Sequence, residues 1–178
     1  MIALDAAPLT AVGIAEARAW LRIDGEEEDG LLAGLIRSAS ALCEQFIGQA
    51  LLVRLVSETL PGSGGWQRLG QRPVRSIAGI DGLPAEGAAF ALPVDAYAID
   101  IDADGDGWVR IDRAGIAGRV IVTYEAGMAA DWNAVPEPLR QGILRLVAHL
   151  YTHRDGPDDG GPPAAVAALW RPYRRMRL

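Results

Sequence analysis

Residues 31–60 read LLAGLIRSASALCEQFIGQALLVRLVSETL, and the hydrophobic period changes inside this stretch. Up to residue 47 the apolar side chains Leu31, Leu32, Leu35, Ile36, Ala39, Leu42, Cys43, Phe46 and Ile47 recur at three and four, the spacing that lays one stripe along a helix. Gly48 can adopt the left-handed backbone that closes such a helix. From Leu51 onward the chain breaks into short β-branched or alternating runs, LLVRLVSETL, PVRSIAGI, DAYAIDI, WVRI and RVIVTYEAG, separated by glycine and proline. A strong helix that gives way to four or five strands predicts an α+β chain.

Upstream, Asp24 offers an N-cap with Glu27 three residues on, and Glu26, Glu28 and Asp29 sit where a helix dipole favours negative charge. A shorter helix is expected over Gly13–Ile23, with Glu16 three residues after Gly13 and Ile14, Ala17 and Leu21 on one face. Turns are expected at Pro61–Gly65, Asp81–Gly87, Asp104–Gly107 and Gly115–Gly118. Helical spacing resumes after Val135, with Pro136 in the first turn and Leu139, Ile143, Leu146, Val147, Leu150 and Tyr151 in a stripe. It gives way to HRDGPDDGGPP, a linker by composition, and then to AAVAALWRPYRRMRL, a segment expected to project. The organisation predicted is a helical framework of residues 1–50 and 134–160, a β-rich insertion over 51–133, and a C-terminal docking segment over 161–178.

The 178 residues carry a net charge of -6, which argues against a general DNA-binding surface, because phosphate neutralisation needs a basic face. All 17 basic residues are arginine, and Arg171, Arg174, Arg175 and Arg177 fall at the end; removing that +4 from -6 leaves -10 on the remainder. No apolar run approaches the roughly 20 residues of a membrane span, so no membrane partner is expected. The N-terminus lacks the basic and apolar regions of a secretory signal, and the single Cys43 fits a reducing compartment, so synthesis in the cytoplasm is expected. On the apolar stripe, Cys43 reads as an inert core thiol.

Several motifs imitate chemistry. DADGDG at Asp102–Gly107 matches the opening of a calcium loop, and Asp100, Asp102, Asp104 and Asp106 are the residues of an alternative reading as a calcium- or metal-dependent interaction module. Position twelve of that loop, where a bidentate glutamate is required, is Arg113, so an acidic hairpin tip is preferred and no metal or other cofactor is expected. His149 and His153 share a helix face, but Leu150 stands where a zinc protease motif needs glutamate, and the chain has no other histidine. Gly62–Gly65 lacks the lysine of a phosphate loop, His153-Arg154-Asp155 lacks the rest of a kinase signature, and no GxSxG elbow occurs. The reading is of a protein that is not an enzyme. The tail differs, since Trp170, Arg171, Tyr173, Arg174, Arg175, Met176, Arg177 and Leu178 combine the aromatic and arginine side chains that concentrate binding energy at interfaces.

WLRID at Trp20–Asp24, EEEDGLL at Glu26–Leu32, RPVRSIAGI at Arg72–Ile80, VIVTYEAG at Val120–Gly127, VPEPLRQGILRLVAHLYTHRD at Val135–Asp155 and the terminal LWRPYRRMRL occur in that order. In this the chain resembles phage head-tail connector, or adaptor, proteins, including the adaptors of gene transfer agents. The resemblance spans nearly the whole chain and weakens between Pro61 and Asp112. It implies a non-catalytic subunit of a ring of about twelve copies beneath a portal, joined by one heterologous interface repeated until it closes. The partners implied are the portal protein, a downstream tail or stopper protein, other copies of the chain, and DNA passing without sequence-specific binding. The C-terminal segment, Trp170 to Leu178, would engage the portal. Asp100, Asp102, Asp104 and Asp106 would line the passage or meet the next tail component, and the assembled particle would be the final location.

Overall fold

The computed structural model describes residues 2–4, 11–62, 64–115, 117–153 and 161–174. Elements of both kinds form, as the change of period requires, and they segregate into two compact units. One comprises residues 1–7 and 53–128; the other comprises residues 8–52 and 129–178.

In the β unit, period two is clearest in strand Ala117–Ala126, where Val120, Val122, Tyr124 and Ala126 are buried and the residues between them are less so. Its strands are β1 (Ile2–Leu4), β2 (Arg54–Pro61), β3 (Trp66–Arg68), β4 (Val74–Pro84), β5 (Phe90–Ala91), β6 (Tyr97–Ile101), β7 (Gly107–Ile111) and β8, the Ala117–Ala126 strand. They form one sheet in the order β1-β2-β8-β4-β5 and another in the order β3-β7-β6, and every pairing between them is antiparallel. Val56, Val74, Ile80, Val120, Val122 and Tyr124 of the first sheet share a core with Val109 and Ile111 of the second. β4 is shifted in register at three places against β8 and runs on to Pro84, so the turn expected from Asp81 begins later. β1, β3 and β5, each of two or three residues, are too short to carry a period.

The helical unit contains α1 (Ala11–Leu21), α2 (Asp29–Ile47), α3 (Glu137–Thr152) and α4 (Ala164–Trp170). α2 buries Leu32, Ile36, Ala39, Cys43 and Ile47, whereas Leu31 and Leu42, one position off that line, are 40% and 39% exposed. It begins at Asp29, not after Asp24, because Gly25 lies at φ +93° and directs the chain through a turn. Glu28, the actual cap position, makes no capping bond with its side chain; its carboxylate accepts from Tyr151 Oη at 2.6 Å. α2 ends as the sequence predicts, with Gly48 at φ 70° and its N–H donating to the carbonyl of Glu44. Arg140 on α3 pairs with Glu16 on α1 at 3.0 Å, and Glu16 also accepts from Trp132 Nε1. α3 buries Leu139, Gly142, Ile143, Leu144, Leu146 and Val147.

The structure thus combines helices with two antiparallel sheets, in keeping with an α+β reading. Residues 154–160 of the expected linker lie outside the described residues. Residues 161–174 do not project. They are part of the helical unit, into which Trp170 is buried.

Candidate functional site

α4 begins after Pro162 and Pro163, which cannot continue a preceding helix but suit a helix start. Its residues Val166 and Trp170 stand four apart, on one face, and are 2% and 0% exposed. The indole of Trp170 enters a notch on α3 at Gly142, and its Nε1 donates to the carbonyl of Leu139 at 3.4 Å. Its ring also meets Phe46 on α2, with centroids 5.8 Å apart and planes tilted by 57°. A tryptophan buries up to about 250 Å² of surface, so its intramolecular burial outweighs presenting it to solvent. This corrects the expectation that Trp170 is an exposed docking residue on a projecting tail.

Beyond Trp170 the chain makes one 3-10 turn, Arg171–Tyr173, closed by the N–H of Arg174 donating to the carbonyl of Arg171 at 3.1 Å. Gln49 Nε2 donates to the carbonyl of Tyr173 at 2.8 Å, and the guanidinium of Arg174 lies 5.6 Å from the centre of the Phe46 ring. Arg171 and Arg174 are exposed and Tyr173 is half-buried. Arg175, Met176, Arg177 and Leu178 lie outside the described residues. Residues 171–174, the described part of the C-terminal arm, therefore lie at a defined place beside the C-terminal end of α2 and carry two exposed cationic side chains. Gly142, Phe46 and Gln49, which shape this site, escape a reading of the tail by itself. The available signal was a glycine inside a strongly periodic helix, a position that costs about 1 kcal/mol relative to alanine and points to close approach.

The second candidate, the aspartate-rich turn, belongs to the β unit. Asp102 is its hub. Its Oδ1 accepts from the backbone N–H of Asp104 at 3.0 Å and of Asp106 at 2.9 Å, and its Oδ2 accepts from Trp108 Nε1 at 3.0 Å. Asp106 faces Arg72 at 3.2 Å and Arg68 at 3.6 Å. The four acids therefore do not act as one patch. Asp100 and Asp104 are exposed, while Asp102 and Asp106 fasten the turn from within. The flanks are strands, β6 and β7, and Arg113 at loop position twelve pairs with Asp95. Carboxylates occupied in this way build a rigid hairpin tip, and among the described residues no three histidine, cysteine, aspartate or glutamate side chains cluster as metal ligands. His149 and His153 are exposed at the end of α3 with their rings stacked at 4.5 Å.

Burial pushes the Cys43 thiol well above its ordinary range, with the Glu44 carboxylate adding to the rise, so it stays a protonated core group. No helix among the described residues is long and apolar enough to cross a membrane.

Residues 12–76 match the family model of the phage gp6-like head-tail connector proteins. The chain is similar to head-tail connectors. The connector-like stretch takes in α2, β2 and β3, nearly all of α1 and the first residues of β4. Among solved structures, a chain in the neck of an empty GTA particle computed with C6 symmetry is 27% identical; the match covers 100% of this chain and 97% of that one, with a TM-score of 0.82. A chain from the virion of a native gene transfer agent (GTA) particle is 28% identical over 100% of this chain and 97% of that one, with a TM-score of 0.76. A third, from the neck of a native GTA particle computed with C12 symmetry, is 25% identical over 99% and 97%, with a TM-score of 0.73. A search of the curated proteins finds no match. Connector-like sequence and full-length likeness to chains of particle necks together support a structural connector role.

Proposed function

We propose that this protein is the adaptor subunit of a phage-type or gene-transfer-agent particle, a non-catalytic protein that forms a ring between portal and tail. The observation that carries this reading is the full-length likeness to a chain of a GTA neck, at a TM-score of 0.82. The symmetries of the two neck structures, C6 and C12, favour a closed ring built from one repeated heterologous interface. The C-terminal arm meets the portal, with Arg171 and Arg174 at its base facing carboxylates and Arg175 to Leu178 continuing the contact. Asp100 and Asp104, the outward acids of the hairpin tip, face the DNA passage or the next tail component. A passage that carries acids does not hold phosphates and lets DNA slide without sequence-specific binding. The protein is made in the producing cell's cytoplasm and ends in the particle neck.

The test is imaging. Electron microscopy of the purified protein mixed with the portal of the same particle is expected to show a ring of density on the portal's tail-facing side. Particles that attach tails normally when this protein is removed would refute the proposal.

A further inference from the structure

Trp170, immediately before the arm, faces inward, and the structure reserves a place for its ring. A β-carbon built on Gly142 would lie 2.1 Å from Nε1 of Trp170, 2.8 Å from its Cδ1 and 2.9 Å from its Cε2. These distances are shorter than real β-carbons show, and the atoms approached belong to a rigid ring that is 0% exposed and has no flexible end to move aside. Around the same ring are the Leu139 carbonyl, the Phe46 ring and, one turn further along the arm, the Gln49 amide on the Tyr173 carbonyl. Two helices, α2 and α3, thus converge on the last residue of α4.

We infer that Gly142 and Trp170 form a latch that fixes residues 171–174 of the arm beside the C-terminal end of α2, making Trp170 a positioning residue for docking and not a contact with the partner. The inference builds on the docking reading above and changes the role of its largest side chain. An arm that starts from a fixed point presents Arg171, Tyr173 and Arg174 already ordered, so less conformational freedom is lost on binding. Released from the latch, the same side chains keep their chemistry and lose their placement.

The test uses the full-length protein and its portal, with four variants and two measurements: portal affinity, and the rate of trypsin cleavage after Arg174. Gly142→Ala is expected to speed cleavage and to weaken portal binding by about tenfold. Adding Trp170→Leu removes Nε1 and Cε2, two of the three atoms that the new methyl group meets, and keeps an apolar side chain in the notch, so the double variant is expected to regain part of both losses. Rescue of this kind is not produced by general destabilisation. Trp170→Ala empties the notch without a clash and is expected to release the arm similarly, which covers the case in which Gly142→Ala does not fold. Arg171→Glu with Arg174→Glu tests docking separately: unchanged portal affinity there removes the arm from the portal interface, while trypsin cleavage of the Gly142 and Trp170 variants, which keep Arg174, still decides the latch. If Gly142→Ala and Trp170→Ala leave cleavage within about twofold of the parent, or if Trp170→Leu fails to rescue Gly142→Ala, the latch is wrong.

Discussion

The hydroxyl of Tyr124 on β8 donates to the carboxylate of Glu58 on β2 at 2.8 Å, inside the β unit. Tyr124 is 0% exposed and Glu58 is 7% exposed. The same carboxylate accepts from the N–H of Gly70 at 2.9 Å, and the N–H of Gln71 donates to the tyrosine oxygen at 3.1 Å. Two side chains thereby hold the segment between β3 and β4 against the larger sheet. Burying a carboxylate is costly unless hydrogen bonds replace its water, and these do so.

Tyr124→Phe is therefore expected to lower stability by about 1 to 3 kcal/mol, because it removes a donor from a buried carboxylate and leaves the Gln71 N–H without that acceptor. Glu58→Gln keeps an acceptor oxygen and is expected to cost less. Urea unfolding followed by circular dichroism ranks the two, and equal losses would contradict the account.

Tyr124 also sets an alkaline limit. Burial, above all, holds its hydroxyl above the ordinary tyrosine value of 10.0, with hydrogen bonding to Glu58 and the charge of Glu58 adding to the rise and the Gln71 N–H opposing it. The folded form keeps its proton where the unfolded chain releases it, so this contribution is complete below about pH 10 and declines as pH rises above it. Stability measured from pH 8 to 11 should fall less steeply in Tyr124→Phe than in the parent protein.

Asp102→Ala removes the acceptor of two backbone N–H groups and of the Trp108 indole. A loss of about 1 to 3 kcal/mol is expected, together with a change in Trp108 fluorescence, whereas Asp100→Ala, at an exposed position, should stay within about 0.5 kcal/mol of the parent. Similar effects for the two would show that the turn is not organised around Asp102.

Cys43 is 0% exposed and its thiol is held protonated. A disulfide reagent such as DTNB should react with the native protein only as fast as it opens, and with the whole population in denaturant. Rapid stoichiometric labelling under native conditions would place Cys43 at a surface.

Gly48 closes α2 at φ 70°, and Glu44 supports the exit further, its Oε1 accepting from the N–H of Leu51 at 2.8 Å. Gly48→Ala forces a β-carbon into the left-handed region and should cost about 1 kcal/mol, read as a lower thermal midpoint with no change in the folded spectrum.

Much of this architecture could be read locally. The three-and-four spacing of Leu32, Ile36, Ala39, Cys43 and Ile47, the glycine at 48, and the alternation of Val120, Val122 and Tyr124 each sit within one window of chain, and side-chain direction follows from backbone period alone. The acidic turn was legible for the same reason, since Asp102 reaches N–H groups only two and four residues on.

The kind of each long element, the place where α2 stops and the resemblance to head-tail connectors were thus already legible in the chain. Packing, in contrast, is what pairs Ile2–Leu4 with β2, delays α2 until Asp29, and turns Asp102 and Asp106 inward while Asp100 and Asp104 stay exposed. It also decided the fate of Trp170. An arginine- and aromatic-rich terminus looks the same from sequence whether its tryptophan meets solvent, a partner or its own core, because local chemistry does not reveal whether a notch exists to receive the ring. That notch is made by a missing side chain on α3, and a missing side chain acquires meaning only when packing brings another residue against it.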